Sequence, residues 1–283
     1  MQPRRRWRRP LTLLVLAPLV LSGCSSELND QWARGGLPES VTDHGDRITT
    51  LWQGAWAAAF ITGAIVWALI LAACVVYRRK ATDTGLPPQV RYNLPVEVLY
   101  TTLPIVMVLV YFYFTARDQN EVGDVKNDAA VNVSVVGKRW SWDFNYLDAG
   151  VFQAGTPGEP PTLYLPVGEK VHFDVVARDV IHSFWVPQFI FKKDMIPGRV
   201  NSFELTPTKV GFYAGKCAEL CGTYHARMLF NVAVVERAEY DRQLEALRAQ
   251  GNVGDLTDVE GPQQPRSGES LTIDPETDET ESE

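Results

Sequence analysis

The chain has 283 residues, is 46% hydrophobic and carries a formal net charge of −7. That length allows one or two domains, and most of the negative charge falls in the last thirty residues, so it says little about partners of the remainder. Four cysteines are too few for a disulfide scaffold, no basic aromatic-interleaved patch points to nucleic acid, and no Walker or Rossmann glycine loop points to a nucleotide.

The chain opens with an export signal. Arg4, Arg5, Arg6, Arg8 and Arg9 form a positive n-region, and Leu11 to Leu21 is an apolar stretch too short to span a bilayer comfortably. It ends in Leu21-Ser22-Gly23-Cys24, which resembles the bacterial lipobox, where the cysteine is lipidated. The blander reading is an ordinary cleaved signal with an incidental cysteine. Small residues directly after the apolar stretch favour the lipobox, with residues 1–23 as signal and Cys24 as the lipidation site. The paired arginines carry little weight as a twin-arginine signal. Residues 24–53 are polar to amphipathic and belong outside the cytoplasm; His44 among them reads as a solvated histidine.

Residues 54–117 read as a transmembrane helix hairpin. Trp56 to Tyr77 contains no charged residue, and as a helix it would be roughly 33 Å long, enough to cross the hydrocarbon core. Arg78, Arg79 and Lys80 follow at once and place that end in the cytoplasm. Cys74 near it reads as a packing or lipid-facing residue. A second apolar run, Pro95 to Phe114, returns the chain to the outside, with Pro104 as a potential kink. Glu97 near its cytoplasmic start reads equally as an interfacial carboxylate in water or as a proton-uptake group.

From Ala130 the period changes to two. Runs at 131–135, 139–144, 162–165, 171–176, 200–205, 210–214 and 228–235, separated by Gly- and Pro-rich turns, predict an antiparallel sandwich or barrel within a domain spanning 118–235. Residues 236–251 read as a short helix with Tyr240, Leu244 and Leu247 on one face. Residues 252–283 hold ten acids and one arginine, the composition of a disordered, solvating tail.

The chemistry is concentrated in Cys217-Ala-Glu-Leu-Cys221-Gly-Thr-Tyr-His225-Ala-Arg-Met228. Thiolate, imidazole and thioether are soft or borderline metal ligands. A further ligand must come from elsewhere. His182, at the end of a strand and followed by Ser183-Phe184-Trp185, fits the cupredoxin pattern of one histidine from a strand end and the rest from a late loop. His172 reads as a sheet residue. Structural zinc would have no use for methionine. A mononuclear blue copper site uses one cysteine rather than two. A Cys217–Cys221 disulfide is compatible with an exported domain but leaves His225 and Met228 unexplained. Two thiolates, two histidines and a methionine fit two coppers sharing both sulfurs, an arrangement suited to electron transfer.

The Cys-x-Glu-x-Cys-x3-His-x2-Met spacing, with His182 upstream, resembles the CuA motif of cytochrome c oxidase subunit II. Asp194-Met195-Ile196-Pro197-Gly198-Arg199 and Lys138-Arg139-Trp140-Ser141-Trp142 resemble that family as well, and the likeness runs from about Leu51 to Val235. It implies a two-helix hairpin carrying an all-β cupredoxin-like Greek-key barrel. By the same resemblance Cys217 and Cys221 bridge the coppers, His182 and Met228 bind one, and His225 with the Glu219 carbonyl binds the other. The Glu219 side chain would ligate magnesium or manganese shared with the catalytic subunit. Trp140 matches the tryptophan that takes electrons from cytochrome c, and Glu97 the acid at the mouth of the family's K proton pathway. Asp143 and Asp179 are candidate docking acids for cytochrome c, although Lys192 and Lys193 put a freely diffusing basic partner in question and leave room for a membrane-held one.

The implied function is electron uptake from cytochrome c at CuA and delivery to haem, for oxygen reduction coupled to proton pumping. The implied partners are catalytic haem–copper subunit I, the other oxidase subunits, cytochrome c and membrane lipid. The implied location is a bacterial cell membrane, with the N-terminus and copper domain outside. Three rivals differ in chemistry: a membrane-tethered copper carrier or metallochaperone, a quinol oxidase subunit lacking the copper ligands, and a structural zinc domain. No Cys-x-x-Cys-His follows the barrel, so no fused c-type haem is expected.

Overall fold

The computed structural model describes residues 26–79, 82, 84–86 and 89–256. The expected export signal, the lipidation site Cys24 and tail residues 257–283 lie outside the described residues. The chain divides into two compact units, residues 1–39 and 40–283. The first contains a short helix, α1 (Ser26–Ala33).

The second unit begins with two long helices, α2 (Gly45–Val76) and α3 (Leu94–Gly123). Each contains an apolar window with mean hydropathy of 2.6 and 1.8 respectively, long enough to cross a membrane. Both extend past the apolar runs. The polar extensions meet where Arg47 on α2 pairs with Asp118 on α3 at 3.0 Å, with Arg117 on the same carboxylate at 2.8 Å. Pro104 lies inside α3, which continues as one helix from Leu94 to Gly123. At its start Asn93 accepts the Val96 N–H, and the Glu97 carboxylate accepts the Asn93 N–H at 2.8 Å. This reciprocal pair satisfies backbone donors that a helix start otherwise leaves open.

The strands form two five-stranded sheets. One has the order β3-β2-β1-β5-β8 and the other β4-β10-β9-β6-β7. The first comprises β1 (Val131–Lys138), β2 (Ser141–Tyr146), β3 (Val151–Ala154), β5 (Val171–Ala177) and β8 (Asn201–Leu205). The second comprises β4 (Thr162–Pro166), β6 (His182–Val186), β7 (Phe191–Met195), β9 (Gly211–Cys217) and β10 (Leu229–Val235). Alternate residues face inward and fill the space between the sheets. Phe184 stacks on Phe230 at 4.8 Å, Phe173 on Phe203 at 4.8 Å, and Trp142 meets Phe230 edge-on at 4.9 Å. Helix α4 (Arg237–Ala249) buries Tyr240, Leu244 and Leu247 against this domain.

The architecture is a cupredoxin-like sandwich above a helix hairpin, but it is not purely antiparallel. Strands β1 and β5 run parallel, with Val133 opposite Phe173, and so do β4 and β10, with Val232 opposite Leu163. Three strands fall outside the predicted runs. β3 has four residues, β7 reads Phe-Lys-Lys-Asp-Met, and the alternation in β6 begins at His182. His182 therefore opens a strand rather than ending one. The run predicted from Arg139 begins as a strand only at Ser141, because Arg139 turns its backbone N–H to the Asp179 carboxylate at 2.7 Å.

Candidate metal centre

Neighbouring strands of the second sheet bring the soft ligands together. Cys217 ends β9, and Met228 immediately precedes β10. Across this hairpin the Cys217 N–H donates to the Met228 carbonyl at 3.0 Å. On the other flank β6 pairs with β9, setting Phe184 opposite Cys217, and the Ala218 N–H donates to the Ser183 carbonyl. His182 is thereby held next to Cys217. The loop between Cys217 and Met228 closes with a 3-10 turn at His225–Arg227, whose first N–H is accepted by the Gly222 carbonyl at 3.1 Å. Gly222 has φ +119°, a conformation that favours glycine.

The resulting contacts form a continuous chain. His182 Nδ1 lies 3.8 Å from Cys217 Sγ, and the two sulfurs are 3.9 Å apart. Cys221 Sγ lies 3.5 Å from His225 Nδ1 and 3.7 Å from Met228 Sδ. The Glu219 carbonyl is 3.1 Å from Cys217 Sγ, while its side chain belongs to an exposed residue. His182, Cys217, Cys221 and Met228 are buried, and His225 is half-buried. Both cysteines are free thiols. Ligand atoms of His182, Cys217 and Cys221 all lie within 4.8 Å of one another. Two sulfurs at the centre with imidazole, thioether and carbonyl donors around them suit copper, which accepts this mixture of donors.

The electrostatics favour a cation. Burial works against the Cys217 thiolate, but His182 and contacts with the backbone at Glu219 and Ser183 outweigh it and bring the thiol down to about 7. Burial and the neighbouring Cys217 charge push the Cys221 thiol up. Two adjacent thiolates repel one another, and positive charge between them relieves that repulsion.

A supporting layer was less evident in the sequence. Asp179 accepts from His182 Nε2 at 2.8 Å, from the Val180 N–H at 2.7 Å and from Arg139. Burial opposes its charge, but these donors prevail and hold its carboxyl below the usual range. Its place three residues before His182 is the sequence signal that could have suggested this role. Trp142 Nε1 donates to the Met228 carbonyl at 3.4 Å, and the indole packs near the His182 ring.

The remaining candidates are dispersed. Trp140 is half-buried beside the ligand loop, with its indole edge-on to Tyr224 at 4.9 Å. Asp143 is buried and paired with Lys138 at 2.8 Å, which removes it as a docking acid. Glu97 is half-buried at the far end of α3 from the strands. His172 lies on the first sheet, between Asp174 and Glu204. Cys74 is exposed on α2.

A two-helix membrane anchor bearing a cupredoxin-like sandwich, with thiolates, imidazoles and a thioether gathered at one end, defines a membrane-held metal-binding protein. Residues 160–235 match the family model for the cytochrome c oxidase subunit II periplasmic domain. The chain is 43% identical to a probable cytochrome c oxidase subunit 2 of Streptomyces avermitilis, covering 89% of this chain and 91% of that one. It is 32% identical to cytochrome c oxidase subunit 2 of Mycobacterium bovis, covering 86% and 83%. The solved periplasmic domain of subunit II of cytochrome oxidase (CoxB) of Bradyrhizobium japonicum is 32% identical, covering 44% of this chain and 99% of that one, with a TM-score of 0.41. The chain belongs to the cytochrome c oxidase subunit II family, a membrane component of an oxidoreductase complex.

Proposed function

We propose that this chain is the electron-accepting subunit of a proton-pumping cytochrome c oxidase, with a dinuclear copper centre in the Cys217–Met228 loop. The observation that carries the reading is the unbroken series of contacts from His182 through Cys217 and Cys221 to His225 and Met228, with the Glu219 carbonyl alongside. Cys217 and Cys221 would bridge the metals, His182 and Met228 would complete one coordination shell, and His225 with the Glu219 carbonyl the other. When bound, the copper pair would supply reversible one-electron storage.

The chain's own residues have distinct tasks. Cys217 and Cys221 are buried free thiols that would hold the copper pair with little solvent access. Asp179 fixes the His182 ring through Nε2 and leaves Nδ1 toward the sulfurs. Trp142 holds the Met228 backbone. Trp140 offers a half-buried aromatic surface beside the loop for electron uptake from cytochrome c. The exposed Glu219 side chain would face subunit I and contribute to a magnesium or manganese site there. Glu97 would stand at the mouth of a proton pathway. The arginine–lysine run at 78–80 supports an extracytoplasmic position for the strand-rich domain.

Electron paramagnetic resonance of the full-length chain loaded with copper tests this assignment. One electron shared by two equivalent coppers should give a seven-line hyperfine pattern. A four-line pattern from a single copper, or stoichiometric zinc without copper, would refute it.

A further inference from the structure

We propose that the surface around Trp140 accepts an electron donor whose docking face is acidic; this inference rests on Trp140 being the point of electron uptake. The surface has an aromatic centre. Trp140 is half-buried, while Tyr224, standing at 90° to it, is exposed. Such a centre provides short-range contact area, so selection among donors of similar shape falls to the surrounding charges.

The acids there are already committed. Asp143 is buried against Lys138. Asp179 binds the Arg139 backbone and guanidinium, the Val180 N–H and His182. Neither presents a free carboxylate to an incoming protein.

The cations are outward. Arg139 is exposed next to Trp140, and its charge is partly offset by Asp179. Arg178 adjoins Asp179 and is exposed; its backbone N–H donates to the Gly137 carbonyl, which places it beside the turn carrying Arg139 and Trp140. Arg227 is exposed, with its guanidinium 6.0 Å from the centre of the Tyr224 ring. Among the described residues, the Arg178 guanidinium donates to the Leu256 carbonyl, a neutral partner that leaves its charge uncompensated, and Arg227 contacts the Tyr224 ring. Glu219 is the exposed acid on the ligand loop, and in the function proposed above it is directed to subunit I. The outward charge at the uptake surface is therefore positive, despite the net −7 of the whole chain. A lysine-rich docking face would meet like charge, and a carboxylate-rich face would meet its complement. Each encounter transfers one electron from a ferrous donor haem, which becomes ferric, and dioxygen is the final oxidant supplied to the oxidase.

The test uses the assembled oxidase and two forms of one soluble probe: a basic cytochrome c, and the same cytochrome after succinylation of its lysines. Second-order oxidation rates are measured at low and high ionic strength. The succinylated form should react about tenfold faster at low salt, and the difference should shrink as salt rises. The double variant R178E/R227E should remove that preference. A faster reaction of the basic form, or a preference untouched by the double variant, would overturn the proposal. So would an acidic preference that emerges only after deletion of residues 257–283, since the arginines would then serve the chain's own tail. W140A separates the two readings. It should slow both probes alike, and an unchanged rate for both overturns Trp140 as the uptake point and with it this proposal. Slowing of both without an acidic preference in the parent enzyme overturns only the charge assignment.

Discussion

The Asp179 carboxylate lies 2.8 Å from Nε2 of His182, while Nδ1 on the opposite edge of the ring faces Cys217 Sγ at 3.8 Å. One acid therefore sets both the orientation and the tautomer of a buried ligand. Other donors to Asp179 come from the turn that carries Trp140, so the same carboxylate ties the metal loop to the proposed uptake surface. Asp179→Ala should weaken copper binding by about 10- to 100-fold, the usual cost of removing such a hydrogen-bond partner. A competition titration of the full-length chain with a copper chelator measures this. An affinity equal to that of the parent would show that His182 is positioned without Asp179.

Cys217 and Cys221 contribute the central sulfurs, whereas each peripheral ligand touches only one of them. Cys217→Ser should consequently abolish the shared-electron signal and leave at most one copper per chain. Met228→Leu should preserve two coppers with altered optical bands, since the thioether is terminal. Metal analysis with paramagnetic resonance distinguishes these outcomes. Two equivalent coppers in the serine variant would count against a double-sulfur bridge.

Away from the metal loop, His172 is held between Asp174 at 3.2 Å and Glu204 at 3.3 Å. Ser202 also donates to Asp174, and Glu204 accepts the backbone N–H groups of Lys126 and Asn127 in the segment leading from α3 to β1. Asp174, assisted by Glu204, raises the His172 pKa despite opposition from burial. The bonus is thus complete below the unfolded value of about 6.5 and is lost as pH rises through the higher folded value. His172→Gln should cost about 1.5–3 kcal/mol at pH 6, the range for a hydrogen bond to a charged group. The gap should narrow at pH 9. Thermal denaturation of parent and variant across that range is the measurement, and a gap that widens with pH would contradict this sign.

The legible parts of this chain were those written in local pattern. The hairpin is visible because uncharged runs such as 56–77 have few other uses, and the four loop ligands because their spacing is dense and chemically unusual. The supporting layer depends on contacts between distant segments. Asp143 and Asp179 look alike in sequence, yet one is buried against Lys138 and the other orients His182. The edge strand β7 escaped notice because Lys192 and Lys193 interrupt the apolar alternation that marks a half-buried strand. The parallel pairings β1–β5 and β4–β10 join strands far apart in the chain, and neither turn chemistry nor alternation specifies such partners.

Gly222 joins ligand geometry to the surface. Its φ of +119° lies where side chains are strained, and a Cβ there would stand 3.3 Å from Cζ2 and 3.4 Å from Nε1 of Trp140. Gly222→Ala must therefore either displace the indole or shift the loop that presents Cys221 and His225. The strain should cost about 1–3 kcal/mol of stability. Displacement of the indole should slow oxidation of cytochrome c while copper stoichiometry remains two per chain; movement of the loop would instead lower copper affinity. Thermal denaturation, copper content and single-turnover oxidation of the assembled variant separate these effects. A variant matching the parent in all three would show that neither the backbone angle nor the close indole contact constrains the site.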